Sequence, residues 1–232
     1  MRLRQKISAF LLTVLTVLSV CSVSAFAAED SNTSANIHDA MKFVRSGVIT
    51  IKEAKLYNNG EEISAVYVVG LSGTNGSADP NDIRGTLSCM QSAFSVESSY
   101  VKAAKTEILA NVPKDSKIVL IGHSLGGMTV QQLAADKSIK GNYEIINTLG
   151  IGSPYIPTAS SKEGDVHRIG DRADIVPGLS LAGFGNIWAG NMSYESSGYV
   201  AGKAHKDSYE KAGCWLKYDC FGIKNGTHKI VY

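Results

Sequence analysis

The sequence lacks the features that mark several large classes of protein. It has no His-x-x-x-His segment and no paired cysteines at metal-binding spacing, which disfavours a metal-dependent hydrolase. It shows no internal repeat. It also lacks an excess of basic charge, with 23 basic against 21 acidic residues, and nucleic-acid binding requires a basic surface that neutralises phosphates. We therefore expect no metal, no cofactor and no nucleic-acid partner.

The sequence contains one long apolar run, and it lies at the N-terminus. Three basic residues among the first six precede a stretch of almost wholly apolar or small residues, 7–23. Ala25-Phe26-Ala27 then offers the small residues that a signal peptidase requires. We predict a secretory signal peptide over residues 1–27 and an exported protein. The alternative is a retained membrane anchor, because the run approaches the ~17 residues of a short spanning helix.

Cysteine is scarce in the chain. After the predicted signal peptide only Cys89, Cys214 and Cys220 remain. In an exported protein the spacing of Cys214 and Cys220 is compatible with a small disulfide loop, and free buried thiols are the alternative. Residues 28–232 keep 20 basic and 21 acidic residues, a net charge of −1. Their number is typical of a single domain with a full core.

Strand-like and helical patterns alternate along the chain after a polar leader. Such alternation predicts an α/β fold with a mostly parallel central sheet and helices on both faces. Catalytic residues are then expected on loops at the carboxyl ends of the strands. The predicted elements are a helix followed by extended chain over Ile37–Tyr57, strands over Ile63–Leu71, Lys117–Gly122, Tyr143–Gly152 and Asp165–Gly170, and helices over Ser98–Val112 and Gly126–Ile139.

A serine lies between two glycines at the point where a predicted strand must turn into a helix, in Gly122-His123-Ser124-Leu125-Gly126. At such an elbow the serine hydroxyl projects above the sheet. Glycines fit two positions before and two after the serine because a side chain there would clash. The unpaired N–H groups at the start of the helix favour developing negative charge. This pattern predicts that Ser124 is a catalytic nucleophile.

The acid partner of the serine is expected further along the chain, because a triad built on a serine at such an elbow runs in the order serine, acid, histidine. The plausible acids after Ser124 are Asp136, Asp165, Asp171 and Asp174. Asp136 falls within the predicted elbow helix, and Asp165 comes at the start of a predicted strand. Asp171 and Asp174 follow that strand, where a loop acid belongs, so both remain candidates on position alone.

The histidine partner has few candidates. Of the five histidines in the sequence, His38, His123 and His167 come too early in the order, and His205 and His228 follow the acids. His123 adjoins the predicted nucleophile and is interpreted as a residue that packs against or orients the elbow. Chain order therefore leaves His205 and His228 as candidates for the catalytic base.

Four segments, in order, resemble the class 3 lipase family, the fungal triacylglycerol lipase type of the α/β-hydrolase fold. They are VYVVGLSGTNG, IVLIGHSLGG, INTLGIGSP and VHRIGDRADIVPGL. The similarity spans roughly residues 60–210, and the elbow and the Asp-x-Val-Pro piece are its most specific parts. The resemblance implies Asp174 as the acid, since Asp174 begins the Asp-x-Val-Pro piece. It implies His205 as the base, since His205 begins a segment similar to the family's His-x-x-x-Tyr.

The resemblance also implies an activity and an oxyanion hole. It implies a secreted serine esterase or lipase without a cofactor, acting on lipid or acyl-ester substrates, with transient contact to a lipid surface. The backbone N–H of Leu125 is expected in the oxyanion hole because Leu125 follows the nucleophile, and the resemblance adds Thr74. The alternatives are a phospholipase A1 or an acyltransferase on the same triad, and a hydrolase-like surface or binding protein without catalysis.

Two segments are candidate walls of the substrate site. The residues after Thr74 occupy the place of the family's lid and carry an apolar stripe at helical spacing, which is typical of a lid or of a core helix. The second segment is glycine-rich and carries aromatic side chains that suit an apolar rim or a long surface loop. The stripe consists of Ile83, Leu87, Met90 and Phe94, and the aromatic residues are Phe184, Trp188, Tyr194 and Tyr199.

Overall fold

Eight strands among the described residues form one mixed sheet. The structure, a computed structural model, describes residues 33–93, 96–179 and 192–232, so the predicted signal peptide lies outside the described residues. The order of the strands across the sheet is β1-β8-β2-β3-β4-β5-β6-β7. The strands are β1 (Thr33–Ser34), β2 (Ile49–Asn58), β3 (Glu61–Leu71), β4 (Lys117–His123), β5 (Glu144–Ile151), β6 (Asp165–Asp171), β7 (Met192–Glu195) and β8 (Lys229–Val231).

The sheet is parallel from β3 to β7 and antiparallel at its other end. β2 and β3 form a hairpin closed by Asn59 and Gly60, which both have positive φ. Two residues of this kind form the tight turn whose twist matches that of the flanking strands. β4 lies between two parallel neighbours, β3 and β5. The residues after β4 are therefore surrounded by the carboxyl ends of parallel strands, where a catalytic loop is expected.

Helices cover both faces of the sheet. No helix among the described residues is long and apolar enough to cross a membrane. A π-helical turn occupies Ala204–Ser208, and 3-10 helices occupy Val176–Gly178 and Gly213–Lys217. The α-helices are α1 (Ile37–Arg45), α2 (Thr86–Ala93), α3 (Ser99–Asn111), α4 (Leu125–Leu133), α5 (Lys137–Asn142), α6 (Ala201–Lys203) and α7 (Tyr209–Lys211).

Alternating side chains of the central strands supply two hydrophobic cores. Val69 and Leu120 belong to the core beneath α3 and α4, whereas Val68 and Val119 belong to the core beneath α1. Successive side chains of a strand point to opposite faces, so strands that are buried on both faces appear as continuous apolar runs in the sequence. The predicted α/β-hydrolase fold, a mostly parallel sheet with helices on both faces, is confirmed.

One predicted helix is two helices in the structure. The sequence pattern predicts a continuous helix over Gly126–Ile139, but α4 ends at Leu133 and α5 begins at Lys137. Asp136 is the N-cap of α5, and its carboxylate accepts hydrogen bonds from two backbone N–H groups of that helix, at 2.8 and 3.2 Å. Aspartate favours this position because it pairs helix donors that lack a partner within the helix. The prediction that Asp136 lies within the elbow helix is therefore wrong.

The C-terminal cysteine pair does not form a disulfide. Cys214 is partly exposed, Cys220 is buried, and both are free thiols. The Sγ of Cys220 donates to the carbonyl oxygen of His228 at 3.3 Å, and burial raises the pKa of the Cys220 thiol well above its ordinary value. Of the two interpretations of this pair, a disulfide loop or free thiols, the structure therefore agrees with free thiols.

Candidate active site

Ser124 lies at a sharp turn between β4 and α4. Its backbone has φ 53° and ψ −117°, and a strained conformation of this kind costs a non-glycine residue about 1–3 kcal/mol. The turn is held on both sides. The Ser124 N–H donates to the Ile151 carbonyl at 2.9 Å, and the Met128 N–H donates to the Ser124 carbonyl at 3.1 Å. This geometry lifts the Ser124 side chain above the carboxyl end of the sheet.

The two glycines around Ser124 are required by contacts with other backbone atoms. A Cβ on Gly122 would lie 2.2 Å from the carbonyl oxygen of Gly126, and a Cβ on Gly126 would lie 2.0 Å from the carbonyl oxygen of Leu71. Both distances are far below van der Waals contact. The elbow therefore forms because β3, β4 and α4 approach each other more closely than any side chain at these two positions would permit.

Replacing Gly126 by alanine is expected to destabilise the fold by about 3 kcal/mol or more, because the clash with Leu71 involves the backbone of a central strand and no rotamer change relieves it. Urea unfolding measures the effect. The matched control is Gly141→Ala, since Gly141 lies in α5, where a Cβ would meet no atom within 4 Å. We expect the free energy of unfolding of the control to rise by up to about 1 kcal/mol, because alanine has a higher helix propensity than glycine. Equal stability of the two variants would contradict the packing described for the elbow.

Three buried polar side chains meet above the end of β4. Ser124 is 3% exposed, His205 2% and Asp174 4%. His205 Nε2 lies 3.0 Å from Ser124 Oγ, and His205 Nδ1 lies 2.8 Å from Asp174 Oδ2. A carboxylate only accepts hydrogen bonds, so Nδ1 carries the hydrogen and Nε2 presents its lone pair to the serine hydroxyl. In this arrangement a histidine can take the proton of an attacking serine.

Asp174 is held by donors on both carboxylate oxygens. The Val176 N–H donates to Oδ1 at 2.9 Å, and the Tyr209 hydroxyl donates to Oδ2 at 2.7 Å. Burial, with the Asp174 charge as a second cause, raises the pKa of Tyr209 well above its ordinary value. The phenol therefore stays protonated and fixes the carboxylate opposite His205. This role of Tyr209 is not predicted from the sequence, where its one signal is its position four residues after His205.

His123 supports the ring of His205. The two imidazoles stack with their centroids 4.8 Å apart and an interplanar angle of 29°. His123 Nε2 lies 3.1 Å from the carbonyl oxygen of His205. Burial lowers the pKa of His123 well below its ordinary value, and His205 and Arg45 contribute to this effect. The contacts of His123 therefore extend beyond the elbow, for which the sequence predicts a packing or orienting role, to the ring and backbone of His205.

The predicted oxyanion-hole residues adjoin the serine. Leu125 is the first residue of α4, so its N–H is one of the donors without a partner inside the helix. A Cβ on Gly73 would lie 3.1 Å from the Ser124 Cβ, and Thr74 is the next residue along the chain. The Thr74 hydroxyl donates to the Arg84 carbonyl at 2.6 Å and accepts from a loop N–H at 3.1 Å. Because its hydroxyl is bonded within the loop, the backbone N–H is the group that Thr74 can offer an oxyanion.

The alternative acids and the alternative base lie in other surroundings. The buried carboxylate of Asp171 accepts hydrogen bonds from a backbone N–H at 2.9 Å and from a serine hydroxyl. Asp165 is an exposed residue at the start of β6. His228 Nδ1 bonds to Asp219 Oδ2 at 2.7 Å. The structure thus brings one of the candidate acids and one of the candidate histidines together with Ser124, and these are Asp174 and His205.

Comparison with known proteins gives only weak likenesses, among solved structures. No family model matches the chain, and no curated protein matches it. Among solved structures the chain is similar to that of Lip2 lipase from Yarrowia lipolytica, with 15% sequence identity and a TM-score of 0.34 over 83% of this chain and 79% of that chain. This likeness is too weak to indicate the reaction of the present chain. The resemblance to class 3 lipases therefore depends on the four sequence segments alone.

The candidate lid segment is partly described. Ile83 is half-buried and packs against the core beneath α3 and α4, whereas Leu87 on α2 is 42% exposed. The apolar stripe is therefore not uniformly buried. Phe94 and the side chain of Met90 lie outside the described residues.

The candidate aromatic rim is also partly described. Phe184 and Trp188 lie outside the described residues. Tyr194 lies on β7, and Tyr199 packs against the core beneath α1. Within the described parts of the chain, no group of three or more His, Cys, Asp or Glu side chains is arranged to hold a metal ion.

Proposed function

We propose that this chain is a serine hydrolase that cleaves carboxylic ester bonds of lipids or other acyl esters through an acyl-enzyme. One observation carries the proposal, the hydrogen-bonded line from Ser124 Oγ to His205 Nε2 at 3.0 Å and from His205 Nδ1 to Asp174 Oδ2 at 2.8 Å. The line begins at a serine whose backbone is strained, with φ 53°. Such strain costs stability, and it is typical of elbows that position a serine hydroxyl for nucleophilic attack.

The chemistry follows from the position of each proton. Ser124 Oγ attacks the carbonyl carbon of the ester while its proton passes to His205 Nε2. Asp174 maintains the Nδ1–H tautomer and stabilises the imidazolium that forms. The tetrahedral intermediate then loses the alkoxy group, which takes the proton from Nε2 and leaves as an alcohol. Water attacks the acyl-enzyme with the same proton transfers, releasing the carboxylic acid and restoring the serine hydroxyl.

The negative charge on the carbonyl oxygen requires donors that are already in place. We assign this role to the backbone N–H groups of Thr74 and Leu125, one after β3 and the other at the start of α4. Loss of one such donor typically costs about 3–4 kcal/mol of transition-state stabilisation. Gly126 supports this assignment, because it allows α4 to pack directly on the end of β3, the strand that precedes Thr74.

Export of the protein is part of the proposal. The basic start, the apolar run and the Ala-x-Ala site support removal of residues 1–27 and a secreted enzyme that makes transient contact with lipid surfaces. Mass spectrometry of the exported protein is expected to give an N-terminus at Ala28. Recovery of the full-length chain in the membrane fraction would instead indicate an anchor.

Hydrolysis of p-nitrophenyl esters of increasing acyl length tests the proposed reaction. We expect a burst of nitrophenolate that approaches the enzyme concentration, because nitrophenolate is a good leaving group and hydrolysis of the acyl-enzyme is then the slower step. The acyl length with the highest kcat/KM distinguishes an esterase from a lipase. Release of the first acyl chain of a phospholipid would identify a phospholipase A1, and acyl transfer to an added alcohol an acyltransferase. Binding of esters without any turnover would contradict the proposal and indicate a binding protein.

A further inference from the structure

The segment that carries His205 has an unusual backbone. α6 and α7 are three residues long each, and the five residues between them, Ala204–Ser208, form a π-helical turn. Such turns are rare, wider than an α-helix and frequent at functional sites. A helical segment this short is not stable by itself and depends on packing against other elements. The position of His205 is therefore determined by what holds the turn.

Two side chains from other elements donate to consecutive carbonyl groups of the turn. His123, at the end of β4, lies with Nε2 3.1 Å from the His205 carbonyl oxygen. Arg45, at the end of α1, donates from Nη2 to the Lys206 carbonyl and from Nη1 to the Glu210 carboxylate. The planar guanidinium has N–H groups on both terminal nitrogens, so it donates to the carbonyl and to the carboxylate at the same time. Side chains from β4 and from α1 therefore form hydrogen bonds to the same turn.

The protonation of His123 follows from its contact. A carbonyl oxygen only accepts hydrogen bonds, so Nε2 of His123 carries a hydrogen. The His123 ring is neutral, because burial lowers its pKa well below the ordinary value and its neighbours His205 and Arg45 disfavour a positive charge on it further. The Tyr209 ring, with its centroid 5.9 Å away, is also uncharged. His123 therefore stacks on His205 without adding a second positive charge when His205 takes a proton.

We propose that His123 and Arg45 are positioning residues that fix the turn Ala204–Ser208 and thereby hold the His205 imidazole in line with the serine and the acid. The inference rests on the proposed function, because it assigns both residues a part in that reaction. Both act through His205 rather than on the substrate. A shift of the turn by about 1 Å is enough to cost roughly 10²-fold in rate.

The first test replaces His123. His123→Phe keeps a stacking ring but removes the donor, and we expect kcat for nitrophenyl esters to fall roughly 10–100-fold with KM unchanged. His123→Gln keeps an N–H close to the place of Nε2, so it should recover most of the lost rate. If His123 only contributed packing, the phenylalanine variant would keep the higher kcat, since glutamine lacks the apolar ring surface that phenylalanine retains.

The second test replaces Arg45. Arg45→Met removes both hydrogen bonds and is expected to lower kcat roughly tenfold or more, and Arg45→Lys, which keeps the charge without the fork, to give an intermediate value. The matched control is Lys105→Met. Lys105 is likewise partly buried and bonds to two carboxylates, those of Glu97 and Asp136, but it lies on α3. We expect wild-type kcat in this control, and thermal unfolding verifies that every variant is folded.

Proton NMR supplies a readout that does not depend on turnover. The Nδ1–H of His205, bonded to Asp174 at 2.8 Å, should give a low-field resonance that shifts or broadens in H123F and R45M and is restored in H123Q. Failure of a fluorophosphonate to label wild-type Ser124 would refute the proposed function. Labelling of the wild type, together with unchanged kcat and an unchanged resonance in H123F and R45M, would overturn the positioning inference alone.

Discussion

Replacing Ser124 by alanine is expected to lower kcat for ester hydrolysis by roughly 10⁵-fold or more, because the attacking oxygen is lost and only the oxyanion donors and substrate binding remain. The fold is expected to survive. The bonds that hold the elbow, from the Ser124 N–H to Ile151 and from the Met128 N–H to the Ser124 carbonyl, are made by the backbone and persist in alanine. Steady-state rates with nitrophenyl esters and thermal unfolding measure the two effects.

Ser34→Ala is the matched control for this substitution. Ser34 is a fully buried serine on β1, at the far edge of the sheet from the elbow. We expect wild-type kcat in this variant. Ester hydrolysis that persists in the alanine variant at position 124 would show that the nucleophile is another residue.

Replacing Asp174 by asparagine is expected to lower kcat by about 10⁴-fold. The wild-type carboxylate accepts from the Val176 N–H on Oδ1 and from both Tyr209 and His205 on Oδ2. An amide has one acceptor oxygen, so in either orientation its NH₂ group faces a donor. The His205 ring then loses its orientation or its Nδ1–H tautomer, and Nε2 no longer presents a lone pair to Ser124. The rate of nitrophenyl ester hydrolysis measures the loss.

Asp171→Asn is the control for the acid. Asp171 is also a buried carboxylate at the end of β6, but its Oδ1 accepts from the Ala173 N–H at 2.9 Å and its Oδ2 from the Ser197 hydroxyl. Its loss affects the loop rather than the imidazole, so we expect kcat within about tenfold of the wild type. A larger loss of kcat at position 171 than at position 174 would reassign the acid.

The elbow is predictable from the sequence because most of its determinants are local. A β-branched strand, the two glycines and a helix-forming stretch follow one another directly within Lys117–Leu133. The fold class is predictable for a similar reason, since strands buried on both faces are continuous apolar runs. The reason that Gly126 must be glycine is not local, because the clashing atom is the Leu71 carbonyl oxygen on the neighbouring strand β3.

The partners of the serine depend on contacts between distant parts of the chain. Asp171 and Asp174 are joined by one turn, in which the Asp174 N–H donates to the Asp171 carbonyl at 3.0 Å, and the turn decides which carboxylate faces His205. Position in the sequence leaves that choice open, and the family resemblance favours Asp174. Arg45 bonds to Lys206, 161 residues away, so no local motif reveals the contact. The strands β1, β7 and β8 are not predicted from the sequence, because each has only two to four residues, too few to show a periodic pattern.

Covalent capture of the serine is the most direct test, because only an activated hydroxyl reacts quickly with a fluorophosphonate. The measurement is the intact mass of the purified protein after treatment, followed by peptide mapping of the product. One phosphonyl adduct, located on Ser124 and absent from the Ser124→Ala variant, is the predicted result. Unmodified protein, or an adduct on a different residue, would contradict the account.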